Sequence, residues 1–198
     1  MPRITKVTTR RGDGGETSLG SRARTPKDAL RVSAYGTVDE LNSAIGVALA
    51  FGLDDSLEPI LRRIQNELLD VGADLAMPPR ADDDAARRMS RVDVSRLEAD
   101  QAGLLTGLEP LKNFVLPGGS PAAAQLHMAR TVCRRAERET VSVARRETVN
   151  GEVLRYLNRL SDLLFVMARV QGKKDAAPEP VWQPRGRTGD VDVSSARA

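Results

Sequence analysis

Apolar residues recur along this chain at steps of three and four, the period of a helix buried along one side. Over residues 30–51 the stripe is Val32, Tyr35, Val38, Leu41, Ile45, Ala48 and Leu49. Over residues 56–76 it is Leu57, Ile60, Leu61, Ile64, Leu68, Val71 and Leu75, with Ser56 and Pro59 marking the start. A third helix is predicted over 93–105 from Val94, Leu97, Ala102, Leu104 and Leu105. The fourth follows a short apolar run (Phe114, Val115, Leu116) and a Pro117-Gly118-Gly119 breaker. Gly119 or Ser120 caps it, Pro121 suits its first turn, and it ends near Arg146. A fifth over 151–170 carries Val153, Leu157, Leu160, Leu164 and Met167. Five such helices, with no internal repeat and no alternating strand pattern, predict an all-α five-helix bundle of the up-and-down type.

The segments outside the helices differ in character. Residues 1–29 form an irregular polar arm with Gly12, Gly14, Gly15 and Gly20 among the hydroxyls of Thr8, Thr9, Thr17, Ser18 and Ser21. Glycine allows tight curvature, so the amides, hydroxyls and basic groups of such an arm can cradle phosphates. The spacing is not that of a Walker A loop, and a flexible basic tail is the competing reading. MPPRADDDAARRMS, residues 77–90, reads as a mobile loop. Residues 173–198 read as a disordered tail in which Trp182 alone is able to dock. The expected division is therefore arm 1–29, bundle 30–172 and tail 173–198.

Composition removes several functions. Thirty basic against 27 acidic residues leave +3, too even a balance to imply nucleic acid. A single cysteine excludes an intrachain disulfide, and one cysteine with one histidine argues against a protein-built zinc site. A di-iron bundle needs Glu-x-x-His, but Ala124 stands where that glutamate belongs before His127. His127 is expected at the surface or an interface, and Cys133 in the core. No apolar run approaches the ~20 residues of a membrane span and no signal-peptide core is present, so a soluble cytoplasmic protein is expected.

The fourth helix holds the best candidate chemistry. Arg130, Arg134 and Glu137 fall within roughly 60° of one another, beside an apolar stripe of Leu126, Ala129, Cys133 and Ala136. Arginines one turn apart repel by a few tenths of a kcal/mol, and a bound anion reverses that penalty. The guanidinium fork matches phosphate oxygens. A solvated face tied by Arg–Glu pairs explains the same residues, and both readings stand on spacing alone. Asp39 is a candidate partner for an arginine elsewhere, whereas Glu40 reads as a solvated residue. Asn158 and Asp162 lie four apart on one side of the fifth helix.

Five stretches together resemble the PduO-type ATP:cob(I)alamin adenosyltransferases, also called corrinoid adenosyltransferases. They are TRRGDGGETSL, PKD at 26–28, AYGTVDELNSAIG at 34–46, FVLPGGSPAAAQLHMARTVCRRAERE at 114–139 and LRYLNRLSDLLFVMAR at 154–169. The resemblance implies a homotrimeric helix bundle with active sites between subunits, in which ATP gives its 5′-deoxyadenosyl group to Co(I) and leaves triphosphate. It implies that Thr9, Arg10, Arg11, Gly12, Thr17, Ser18 and Lys27 wrap the nucleotide. Arg134, Glu137 and Asn158 complete its site, with Arg135, Ala136 and Arg138 nearby. Arg130 is expected to pair with Asp39 of the adjoining subunit, and Phe114 to face the corrin from below. ATP, Mg²⁺ and a corrinoid are the implied ligands, and a flavin-type reductase and an adenosylcobalamin-dependent enzyme the implied partners. The family commonly has lysine where this chain has Gly14, so Arg10 and Arg11 are expected to supply the missing charge. Two other readings remain at this level. One is a non-catalytic nucleotide- or corrinoid-binding bundle, acting as carrier or chaperone. The other is an RNA-binding protein using Arg134, Arg135, Arg138, Arg145 and Arg146, which scarce aromatics and interspersed acids weaken.

Overall fold

Each predicted stripe is buried against another stripe. A computed structural model of the chain describes residues 8, 10–19, 24–78 and 88–183. Its helices are α1 (Leu30–Ala50), α2 (Glu58–Ala76), α3 (Arg91–Leu105), α4 (Pro121–Ala144) and α5 (Gly151–Lys174). α1 packs between α2 and α4, α4 lies along α5, and α3 covers the other side of α5. The core is aliphatic: Leu41, Ile45, Leu61, Ile64, Leu97, Leu126, Leu157 and Leu160 are fully buried. Each such side chain contributes ~1.5–3 kcal/mol by leaving water.

Side chains at the helix ends decide where each helix starts. The Asp54 carboxylate accepts hydrogen bonds from the amide (2.9 Å) and hydroxyl (2.6 Å) of Ser56. That local turn holds Ser56 out of the helix, so α2 starts two residues later than expected. A Ser90–Asp93 capping box starts α3 two residues early, at Arg91. Ser120 Oγ accepts from the Ala123 amide (3.2 Å) and Asn150 Oδ1 from the Glu152 amide (3.0 Å), so α4 and α5 begin where predicted. α5 continues to Lys174, beyond the expected Val170, because Gln171 and Gly172 are still buried. The Gln171 side chain accepts from the Asp54 amide (2.8 Å), tying that last turn to the α1–α2 connection.

Arg31, Glu67 and Asp74, all buried, are partnered, as burial requires. Glu67 on α2 accepts from Tyr156 Oη on α5 (2.7 Å) and from Arg96 on α3 (2.9 Å). At one end Arg31 donates to the Leu75 carbonyl (2.5 Å), the Thr148 carbonyl (3.0 Å) and Glu147 (2.7 Å). There Asp74 also accepts from the Met89 amide (3.0 Å) and Asn150 Nδ2 (2.7 Å). Residues 88–90 are thus fixed rather than mobile, and 79–87 lie outside the described residues.

Three expectations change. The arm is not wholly irregular: β1 (Glu16–Ser18) pairs antiparallel with β2 (Arg24–Pro26), Thr17 opposite Thr25. Strands of three residues are too short to register as alternation. His127 is buried, not at the surface, beneath residues 177–180 and beside Phe165. Residues 175–183 are held against the bundle, since Ala177 N donates to Gly172 O (3.0 Å) and Val181 bridges Val115. The expected docking of Trp182 is part of that arrangement, whereas residues 184–198 lie outside the described residues.

Candidate active site

The helical angle that places Arg130 and Arg134 on one face of α4 aims both into a cleft of about 540 Å³. α5 supplies its opposite wall with Ser161, Asp162, Phe165, Val166 and Arg169, and the segment between α3 and α4 closes it with Leu108, Glu109 and Leu111. Arg130 is half-buried, and its guanidinium lies over the Phe165 ring, 5.9 Å from the centroid. Its Nε is buried with no hydrogen-bond partner among the described residues. Burial, and then the charge of Arg134, lower its affinity for the proton. An anion or carboxylate would relieve that energetic cost.

Arg134 also lines a second groove of about 380 Å³, with Glu137, Arg138, Ser142 and Arg145. Arg134, Arg138 and Arg145 make no ion pair among the described residues, so three arginines line the groove beside the single carboxylate of Glu137. Glu137 is oriented by Asn158 Nδ2 (3.0 Å), and Asn158 Oδ1 accepts from Arg159 (2.6 Å). Arg134 therefore joins a cleft with apolar walls to a cationic groove. The single cysteine is no nucleophile, since Cys133 is fully buried, its thiol pKa is pushed up by burial, and its Sγ donates to the Leu157 carbonyl at 3.2 Å.

The other predicted residues are placed variously. Arg135 turns to α1 and pairs with Glu40, which is exposed yet not merely solvated. Ala136 is packed in the core, so its side chain cannot meet a ligand in the cleft or the groove. Asp39 is exposed on α1, with no ion pair among the described residues. Phe114 is 77% exposed, and its ring meets that of Trp182 edge-on at 6.1 Å.

In the arm, Gly15 adopts φ +79° and starts β1, and Arg10 sits at φ 57°. The chain closes with Gly15 N donating to Gly12 O (3.2 Å) and Lys27 N to Gly15 O (2.8 Å). Arg24 braces the turn through the Arg11 carbonyl (2.5 Å) and the Glu16 carbonyl (3.2 Å). A Cβ on Gly12 would come within 2.9 Å of Lys27 Nζ, so the glycine makes room for that ammonium. Arg11, Gly12, Thr17, Ser18 and Lys27 thus belong to one curved unit, and Thr9 lies outside the described residues. The arm's described hydrogen bonds stay within residues 10–33, so within one chain they do not join it to Arg134.

Phe165 and Arg169 were not singled out from sequence. A signal was present: Asn158, Asp162, Phe165 and Arg169 follow steps of four, three and four, one face of α5.

A sequence profile of the cobalamin adenosyltransferase family matches residues 7–171. The chain is 42% identical over 182 residues to a cobalamin adenosyltransferase of Cupriavidus metallidurans, covering 91% of this chain and 96% of that one. It is 46% identical over 170 residues to a corrinoid adenosyltransferase of Bacillus subtilis, covering 83% and 86%. Among solved structures it resembles a phenylalanine-to-histidine variant of the PduO-type ATP:corrinoid adenosyltransferase from Lactobacillus reuteri, complexed with cobalamin and ATP. The TM-score is 0.84 at 35% identity, covering 90% of this chain and 97% of that chain. With the profile, the relatives and the fold all in agreement, the chain belongs to the cobalamin adenosyltransferase family.

Proposed function

We infer that this chain transfers the 5′-deoxyadenosyl group of ATP to the cobalt of a Co(I) corrinoid, releasing triphosphate. The observation that carries this reading is the position of Arg134, shared by the cleft and the groove of guanidiniums. The cobalt electron pair attacks C5′, the C5′–O bond breaks, and its electrons pass to the departing triphosphate. Cob(I)alamin is already a strong nucleophile, so the protein's task is alignment and stabilisation of charge on the leaving group. Arg134, Arg138 and Lys27 are the cations for that charge, and Mg²⁺ accompanies the triphosphate oxygens. Glu137, held by Asn158, accepts hydrogen bonds from the nucleoside. Phe114 supplies an apolar surface that keeps water and a lower ligand from the metal, which eases reduction of Co(II).

The site is completed between protomers of a homotrimer. Support for this comes from two groups that lack an ion-pair partner among the described residues, the half-buried Arg130 and the exposed Asp39, and from an arm whose described hydrogen bonds do not reach α4. Asp39 of one protomer meets Arg130 of the next, and Thr9, Arg10, Arg11, Gly12, Thr17 and Ser18 close over the phosphates. The enzyme works in the cytoplasm, with a flavin-type reductase as electron source and an adenosylcobalamin-dependent enzyme as recipient. One solved relative holds cobalamin and ATP together, and an arginine-to-lysine variant of that enzyme was solved with ATP.

Anaerobic incubation with Mg·ATP, a reductant and cob(II)alamin tests the reaction. The expected result is a photolabile Co–C product formed in equal amount with triphosphate. Binding of both ligands without that product would leave only a carrier role.

A further inference from the structure

Residues 175–182 fold back across the bundle, and their one ion pair among the described residues is made to a single guanidinium. Arg169 on α5, only 8% exposed, donates from Nε to Glu179 Oε1 (2.8 Å) and from Nη2 to Glu179 Oε2 (3.4 Å). The same Nη2 donates to the Glu109 carbonyl (3.0 Å), in the segment between α3 and α4. One side chain thus ties two separate segments to α5, and it also lines the cleft beside Arg130 and Arg134. Past Glu179 the strap pairs with the segment that carries Phe114. Leu116 N donates to Pro180 O (2.7 Å), and Trp182 N donates to Phe114 O (2.9 Å).

We propose that Arg169 and Glu179 are positioning residues whose ion pair latches the 177–182 strap, and through it fixes Phe114, while Arg169 itself holds the 109–111 wall of the cleft. Ordering a peptide costs about 1–2 kcal/mol per residue, and this strap buries little apolar surface to offset it. Three main-chain hydrogen bonds and one ring contact are modest beside that cost. A two-pronged bond between charged groups is stronger than either. Its loss also leaves a buried guanidinium with only the Glu109 carbonyl, a costly state. Strap occupancy therefore depends on Glu179. The strap, Glu179 included, lies beyond residue 171, where the family profile ends, whereas its partner Arg169 lies within the matched span.

The inference rests on the proposed reaction for its ligand, but its first readout does not. Trp182 is the chain's only tryptophan, so its fluorescence reports the strap alone. Glu179 is chosen for substitution because its side chain is 35% exposed and its removal leaves the core intact. In Glu179→Ala, acrylamide quenching of Trp182 is expected to rise about twofold while helical circular dichroism stays unchanged. KM for cob(II)alamin is expected to rise about tenfold, equivalent to ~1.4 kcal/mol, with KM for ATP unaltered. Glu179→Gln, which keeps the shape and loses the charge, should fall between. Unchanged quenching, or greater quenching with an unchanged corrinoid KM, overturns the proposal. An equal rise in both KM values marks general loosening and overturns it too. Wild-type protein that forms no Co–C bond would fail the proposed reaction instead, with the quenching arm still deciding the latch.

Discussion

Arg134 meets no carboxylate in an ion pair among the described residues, yet it stands between a second arginine and a third, an arrangement that a polyanion stabilises. Arg134→Ala should lower kcat/KM by about 10²–10³, the usual loss when one preorganised donor to a developing charge is removed. Arg134→Lys should recover only part, because an ammonium lacks the planar fork. Steady-state kinetics decide this, and near-normal turnover would remove the residue from the site. Phe114→Ala should impair the reduction-coupled reaction more than it weakens ATP binding, measured by titration, and equal losses would count against its role. His127 bears on stability. Burial first, then Arg130, lower its pKa from 6.5, with Glu179 opposing. On acidification the unfolded chain takes the proton first, so stability is lost as pH falls below about 6.5, by at most ~1.4 kcal/mol per pH unit. Thermal melts between pH 7.5 and 5.5, roughly spanning that window, should show a decline that His127→Leu flattens. The arginine row was legible in sequence because spacing on one helix is local geometry. His127's burial was not, since a strap some 50 residues later in the chain supplies the cover.

At the scale of elements, the stripes located all five helices because each buries one face against a neighbour. Their ends were less legible, being settled by single hydrogen bonds such as those of Asp54 and Ser90. Ser120 is the clearest of these caps, since α4 carries the site. Ser120→Ala should cost about 1 kcal/mol and lower Tm by several degrees in calorimetry, with kcat little altered. An unchanged Tm would mean that Pro121 and packing alone define the start of α4. The arm's ribbon and the strap escaped prediction for a common reason. Each is built from main-chain pairings of three residues or fewer, which leave no periodic trace.

At the scale of the whole molecule, the proposed site is assembled from two protomers. Arg130 and Asp39 each lack an ion-pair partner among the described residues, and the arm's described hydrogen bonds do not reach the α4 ridge. Light scattering should therefore give three times the 21.5 kDa chain mass. Asp39→Asn should shift that mass downward at low concentration or reduce corrinoid turnover. Retention of both would exclude Asp39 from the contact. Sequence could not show this scale from its own periodicity; it entered only through the five family-like stretches. The most direct measurement is a crystal structure of the protein with Mg·ATP. The triphosphate is expected between Gly12–Ser18 of one protomer and Arg134 of its neighbour, with C5′ turned toward the cleft. Nucleotide bound elsewhere, with Arg134 facing only solvent, would contradict it.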